Sequence, residues 1–204
     1  MKKYSIVFFL MYVLCIQAQQ DKTDDSSFLD KTEFKVGYYG NVLWDNGLNL
    51  GAEYVWKEKK KVKETKKGQK TITHQFLVNG ILGYSTNFAN KTDNGLHTYY
   101  GLIWRRTSPK RWQFQVELNP LGYYRSFLPE TFKVDGGDVS KVRLPGRSYY
   151  TPTIAFGIGR LRHGKRRSGW YLNFNCAFRT NYNAGVLPTY SIQYGHRFNF
   201  KKKK

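Results

Sequence analysis

Cysteine is nearly absent from this chain: there are two in 204 residues. Cys15 lies in an apolar N-terminal run. A chain that has lost that run keeps only Cys176, so no intrachain disulfide can brace the fold. A lone thiol cannot complete a metal site either, and "RHGKRR" lacks metal-ligand spacing, so no metal is expected. Acid is scarce as well: 14 Asp and Glu face 34 Lys and Arg, a formal net charge of +20. After the N-terminal run no stretch approaches ~18 consecutive apolar residues, so no membrane helix is expected. "GIG" at Gly157 to Gly159 is not followed by a helical pattern, which excludes a phosphate loop. No cofactor is expected.

What the chain does have is aromatic residues, at 17%, in a sequence whose mean hydropathy is −0.62. Lys2 and Lys3 precede an apolar run from Ser5 to Ile16, and Ala18 offers a small residue for cleavage. This pattern predicts a secretory signal peptide over residues 1–19. Leu14 is too bulky to fit lipidation of Cys15, since lipoprotein signals carry a small residue there. Residues 20–33 are polar and read as a leader. From Phe34 to Phe200 the chain alternates with period two between turn signals, and eight segments can be counted. They are Phe34 to Trp44, Leu48 to Lys57, Thr71 to Asn87, Leu96 to Arg105, one starting at Arg111, Tyr149 to Arg160, Trp170 to Asn181, and Thr189 to Phe200. A lysine-rich hairpin joins the second to the third, and a long stretch from Pro120 to Arg147 follows the fifth. Eight antiparallel strands can close into a barrel that leaves no free edge.

One set of alternates is apolar, such as Trp112, Phe114, Val116 and Leu118. The other mixes small residues with Gln113, Gln115, Glu117 and Asn119. A soluble barrel turns the apolar set inward, and a membrane barrel turns it toward lipid. Periodicity alone leaves both open, but the tryptophans discriminate. With both termini at one end, Trp56, Trp104, Trp112 and Trp170 share that end and the apolar face, while Trp44, Tyr150 and Tyr190 take the other. Two such girdles, roughly 9–11 residues apart along each strand, are what two membrane interfaces require. The expected fold is therefore an all-β, eight-stranded antiparallel up-and-down transmembrane β-barrel.

The signal, the regular strands and the closing "YGHRFNF" resemble the small outer-membrane β-barrel proteins of Gram-negative bacteria, and "AQQ" resembles the Bacteroidota versions. The resemblance implies an outer-membrane location with termini in the periplasm. It also implies partners: outer-membrane lipid and the barrel assembly machinery. In that family the last strand carries an aromatic signal for assembly, which Tyr194, Phe198 and Phe200 match. One departure is the basic tail, Lys201 to Lys204, which follows the signal where the family normally ends.

On the polar parity fall Lys35, Glu53, Arg105, Glu117, Arg179 and Arg197, candidates for an ion-pair network filling a narrow lumen. The lysine hairpin, "RRTSPKR", "RLRHGKRR" and the last lysines fall at the periplasmic end. They read either as solvated turns or as a surface for an anionic cell-wall or periplasmic partner. Nucleic acid is not expected, because the aromatics have their own explanation and the chain reads as exported. The expected role is non-enzymatic, structural or interaction-based, with the Pro120 to Arg147 stretch as the outward contact surface. Two alternatives stay open. One is a lipid-modifying enzyme built on His97 with Asp93, Ser85 and Thr86 nearby. The other is a secreted soluble lipocalin-like binding protein.

Overall fold

Alternating apolar and polar residues, rich in β-branched and aromatic side chains, suit an extended chain with two unlike faces. A computed structural model describes residues 28–41, 45–65, 68–87, 94–162, 168–182 and 185–199. A single helical turn, α1 (Phe28–Lys31), leads into β1 (Thr32–Asn41). Then come β2 (Asp45–Thr65), β3 (Gly68–Asn87), β4 (Asn94–Thr107) and β5 (Trp112–Phe127). A small hairpin, β6 (Phe132–Asp135) and β7 (Asp138–Lys141), precedes β8 (Gly146–Tyr150) and β9 (Thr153–Leu161). β10 (Gly169–Tyr182) and β11 (Gly185–Phe198) follow.

Eight strands form a closed, antiparallel, up-and-down ring in the order β1-β2-β3-β4-β5-β9-β10-β11, with β11 pairing back to β1. Closure leaves no ring edge to attract another chain. β8 continues the line of β9 along the upper part of β5. Between β8 and β9 the ladder is held by Thr151 N–H donating to Gly122 O at 2.7 Å and Phe178 N–H donating to Pro152 O at 3.0 Å.

Boundaries differ from the sequence reading where proline or a bulge intervenes. β5 does not stop at Pro120 but runs to Phe127. Tyr100 faces Leu121 and Leu102 faces Leu118, so Asn119 and Pro120 together oppose Gly101. A proline is tolerated at such a bulge because no ladder bond is needed from it. A β-carbon on Gly101 would lie 2.1 Å from Leu118 O, so only glycine lets the bulged strand approach. β11 likewise begins at Gly185, not Thr189, and carries Pro188 opposite Phe178. The first strand starts at Thr32 rather than Phe34, and the last residues of the polar leader are ordered: Phe28 stacks on Tyr54 with centroids 5.1 Å apart. Asn199 Nδ2 donates to Thr32 O at 2.7 Å and to Asp30 O at 3.0 Å, tying the two ends of the ring together. The expected signal peptide, Trp44, Phe200 and the tail Lys201 to Lys204 lie outside the described residues.

The lysine-rich hairpin is a long paired ribbon. A bulge at Trp56 separates the pairs Val55↔Leu77 and Lys57↔Phe76, and pairing continues to Thr65↔Gly68. β4 leaves β3 at Thr73↔Thr107, so the last five pairs of the ribbon, Lys61↔Ile72 onward, stand beyond the ring. At ~3.3 Å per residue that is a projection of about 17 Å.

Candidate functional site

The polarity of the ring is inverted relative to a soluble protein. Along β5, Gln113, Gln115, Glu117 and Asn119 are at most 5% exposed, while Trp112, Phe114 and Leu118 are 44–54% exposed. The same split holds in β9 and β10, where Phe156, Ile158 and Phe174 face out and Ala155, Asn173 and Asn175 face in. The inward set also includes a small apolar cluster, Val55, Leu77 and Ile103. The arrangement of a soluble calyx, with the apolar set turned inward around a cavity, is not the one this ring adopts.

Inside lies a network of three carboxylates and three cations. Glu53 is its centre. Lys35 Nζ sits 2.9 Å from Glu53 Oε1, Arg105 Nη2 contacts Glu53 Oε2, and Arg197 Nε is 3.3 Å from Oε2. Arg105 Nη1 reaches Glu33 at 2.8 Å, and Lys35 lies 3.8 Å from Glu117. All six are at most 3% exposed. Strand register explains why they gather. Glu33 is directly opposite Glu53, and Lys35 is directly opposite Arg197. Like charges across a pair repel. Here each pair is bridged by the opposite sign: Arg105 spans the two carboxylates, and Glu53 touches both cations. Neutral amides occupy much of the remaining hydrogen-bonding capacity. Gln113 and Gln115 accept from Arg197 at 3.0 and 2.5 Å, and Asn173 Nδ2 donates to Glu117 at 2.8 Å.

Tyr171 closes the network from one side. Its ring lies 4.7 Å from Arg197 Cζ and 5.5 Å from Lys35 Nζ. It fits because two glycines, Gly37 and Gly195, face each other across β1 and β11 beneath it. A β-carbon at Gly195 would stand 2.9 Å from the Tyr171 hydroxyl and 2.2 Å from Val36 O. The backbone contact cannot be relieved by a rotamer. Gly195→Leu is therefore expected to displace Tyr171 and lower stability by about 1–3 kcal/mol, the usual cost of overpacking, read as a shift of the denaturant midpoint.

Five of the six ion-pair candidates meet: Lys35, Glu53, Arg105, Glu117 and Arg197. Arg179 does not. It lies in a separate aromatic layer near the other end, with Cζ 4.0 Å from the Tyr124 ring centroid. Arg179 keeps the regular register of β10 against β11, opposite Leu187, but Arg197 is opposite Gly169 at the far end of the same strand, so distance along β10 rather than parity separates the two. Glu33 was not among the candidates. Extending the parity of Lys35 two residues back, into the polar leader, would have found it.

The same aromatic layer holds His97. It is 1% exposed, with Nε2 2.7 Å from Asn49 Oδ1 and its ring 4.4 Å from that of Tyr39. Ser85 is 1% exposed, and Thr86 Oγ1 donates to Asn94 at 2.5 Å. His97 is thus paired with an amide inside the ring rather than with Ser85 at a rim. Asp93 lies outside the described residues. Cys176 is a free, half-buried thiol.

Trp56, Trp104, Trp112 and Trp170 lie at the end where β1 begins and β11 finishes. Trp104 is opposite Phe76, beside the Trp56 bulge, and both Trp112 and Trp170 are opposite Arg160. Trp112 and Trp170 meet edge to face at 5.8 Å. Phe34 and Phe198 stack at 6.1 Å, and Tyr194 on the same outer face is 49% exposed. At the other end Tyr150 pairs with Tyr123, and Tyr190 packs on Phe174 at 6.0 Å. Geometry and burial thus define a closed eight-strand ring with a charged, filled interior and an aromatic-banded apolar exterior. No protein-family model matches the chain, and no curated protein matches it significantly.

Proposed function

We propose that the ring is a transmembrane β-barrel of the outer membrane, with a plugged lumen and both termini in the periplasm. It serves there as a non-catalytic structural or interaction protein. The observation that carries this reading is the inverted polarity: an apolar, aromatic-banded outer wall around a neutralised ionic interior. An apolar wall around the whole ring is costly in water and favourable in lipid. The interior supports a brace rather than a pore, because side chains of the three-against-three network fill it. The assembly signal would be Tyr194 and Phe198 with Phe200, read by the barrel assembly machinery.

The outward face would be the stretch 128–145, which carries the β6–β7 hairpin with Val134 and Val139 exposed. The basic periplasmic end would contact anionic envelope material through the β2–β3 ribbon. Two measurements test the reading. Purified outer membranes should contain the protein, migrating faster on a gel before boiling than after. Protease added to intact cells should cut within 128–145 and spare the ribbon; cleavage at the ribbon from outside overturns the orientation.

The ribbon makes a further expectation. Replacing Lys59, Lys61 and Lys63 with Gln should reduce co-sedimentation with cell wall, and added salt should reproduce the loss in the unchanged protein. Exposed charges are screened over ~8–10 Å near physiological ionic strength. If the variant sediments as well as the parent, the ribbon is only a solvated hairpin.

A further inference from the structure

The turn between β4 and β5 and the end of β9 enclose a cleft of about 870 Å³ on the outer wall, at the basic end of the ring. Its lining includes Lys110, Arg111, Arg160 and Arg162 and no Asp or Glu; Arg197 also borders it, but its guanidinium is held inside the ring by Glu53. Its apolar wall is Trp112 and Trp170, meeting edge to face, with Phe198 beside them. We infer that this cleft is a binding site for the phosphodiester headgroup of an anionic glycerophospholipid. The inference rests on the membrane reading above and names a ligand class for one part of the basic rim.

Three observations carry it. First, the cleft is prebuilt. Arg111 sits at φ 68, a left-handed conformation uncommon for a side-chain-bearing residue. Its backbone is held on both sides: Arg111 N–H donates to Ser108 O at 2.9 Å, and Leu161 N–H donates to Arg111 O at 3.0 Å. Arg111 Nη1 also donates to Arg162 O at 3.3 Å, clamping the turn to the end of β9. Second, the charge is one-sided and held in place. Arg160 Cζ lies 5.6 Å from the Trp112 ring centroid, which orients its guanidinium at the cleft without neutralising it. Lys110 and Arg162 are exposed beside it. Guanidinium groups match phosphate oxygens in geometry as well as charge.

Third, the height is right for a headgroup. Trp112 and Trp170 belong to the aromatic band, and Trp side chains settle at the level where acyl chains meet headgroups. Lipid bound here would lay its glycerol and first methylenes on the indoles and its phosphate among the arginines. The β2–β3 ribbon is also basic, but its free end projects about 17 Å past the ring, beyond the headgroup layer. Charge alone therefore does not distinguish the two surfaces; position relative to the tryptophans does.

The test uses full-length protein, delipidated in a non-ionic detergent. It is equilibrated with equal amounts of phosphatidylglycerol and phosphatidylcholine of identical acyl chains and read by native mass spectrometry. One phosphatidylglycerol per barrel should be retained, favoured over phosphatidylcholine by about tenfold or more, as charge-assisted phosphate contacts allow. Arg160→Gln with Arg162→Gln should abolish the preference. Lys110→Gln with Arg162→Gln should weaken it while leaving Arg160 on Trp112, which keeps the test valid if the first variant fails to fold. Lys61→Gln with Lys63→Gln on the projecting end of the ribbon should leave it intact. Equal retention of the two lipids, or equal loss in the ribbon variant, overturns the site. Displacement of phosphatidylglycerol by inorganic phosphate at matched concentration makes it a site for free anion and overturns the lipid assignment. Failure of the membrane reading looks different: the unmodified protein would stay dispersed in buffer without detergent.

Discussion

Glu53→Ala is expected to destabilise the ring by about 3–5 kcal/mol, the cost of leaving buried charge uncompensated. Glu53 contacts Lys35, Arg105 and Arg197, and its side chain has no exposure to water. Its loss leaves three buried cations facing Glu33 and Glu117 alone. It also leaves Lys35 and Arg197 directly opposite one another with no carboxylate touching both. Glu117→Gln should cost less. Its closest charged neighbour, Lys35, is 3.8 Å away, and its nearer partners are the neutral Gln115 and Asn173 at 2.6 and 2.8 Å. Denaturant unfolding in detergent or lipid measures both. A Glu53→Ala midpoint within error of the parent would mean that water or relaxation compensates the cations, and the network would not be the brace of the interior. The order of the two variants matters more than either value, because it depends on which carboxylate bridges the cations.

The network was legible in the sequence to the extent that alternation held. β5 keeps strict alternation from Trp112 to Asn119, so the order of residues alone places Gln113, Gln115 and Glu117 on one face. Lys35, Glu53, Arg105 and Arg197 lie in equally regular segments and do meet. What alternation could not supply was the pairing register, which makes Glu33 and Glu53 opposite and so explains the reach of Arg105 to both. Parity also fails wherever the count slips. The Trp56 bulge turns Glu58 toward Gln75, which donates to it at 2.8 Å, so the inward parity of Glu53 and Val55 does not carry into the lysine hairpin. Pro120 and Pro188 read as breaks because proline removes a ladder donor, yet neither position needs one. Pro120 sits in a bulge; Pro188 faces Phe178, whose N–H donates to Pro152 O, and lies past Ser191↔Asn41, the last pair of β11 with β1. The aromatic ends were visible from tryptophan positions alone. The cleft was not, because it depends on the left-handed turn at Arg111 bringing Lys110 against the end of β9.

Phe156→Arg and Phe174→Arg should each cost about 2–4 kcal/mol in a bilayer, the penalty for arginine near the midplane of a barrel wall. The two residues are directly opposite one another on β9 and β10, 54% and 47% exposed on the outer face, so they sit at one depth. His196→Arg, on the same face but level with Trp170, should cost only about 0–1 kcal/mol, because arginine near an interface can reach water. Asn175→Ser, one residue from Phe174 but turned inward, loses its amide bonds to Ser191 O and Oγ at 3.3 and 3.2 Å. A small loss of about 0.5–1.5 kcal/mol follows from hydrogen bonds of that kind. The gradient from midplane to rim is the diagnostic quantity, measured by reversible unfolding from vesicles. On an ordinary aqueous surface an exposed phenylalanine changed to arginine would cost little at any height, and Phe156 and His196 would behave alike. A flat profile along the outer face, with the inward Asn175→Ser the most damaging of the four, would mean that water rather than lipid surrounds the wall. The membrane reading and the headgroup site would then fail together.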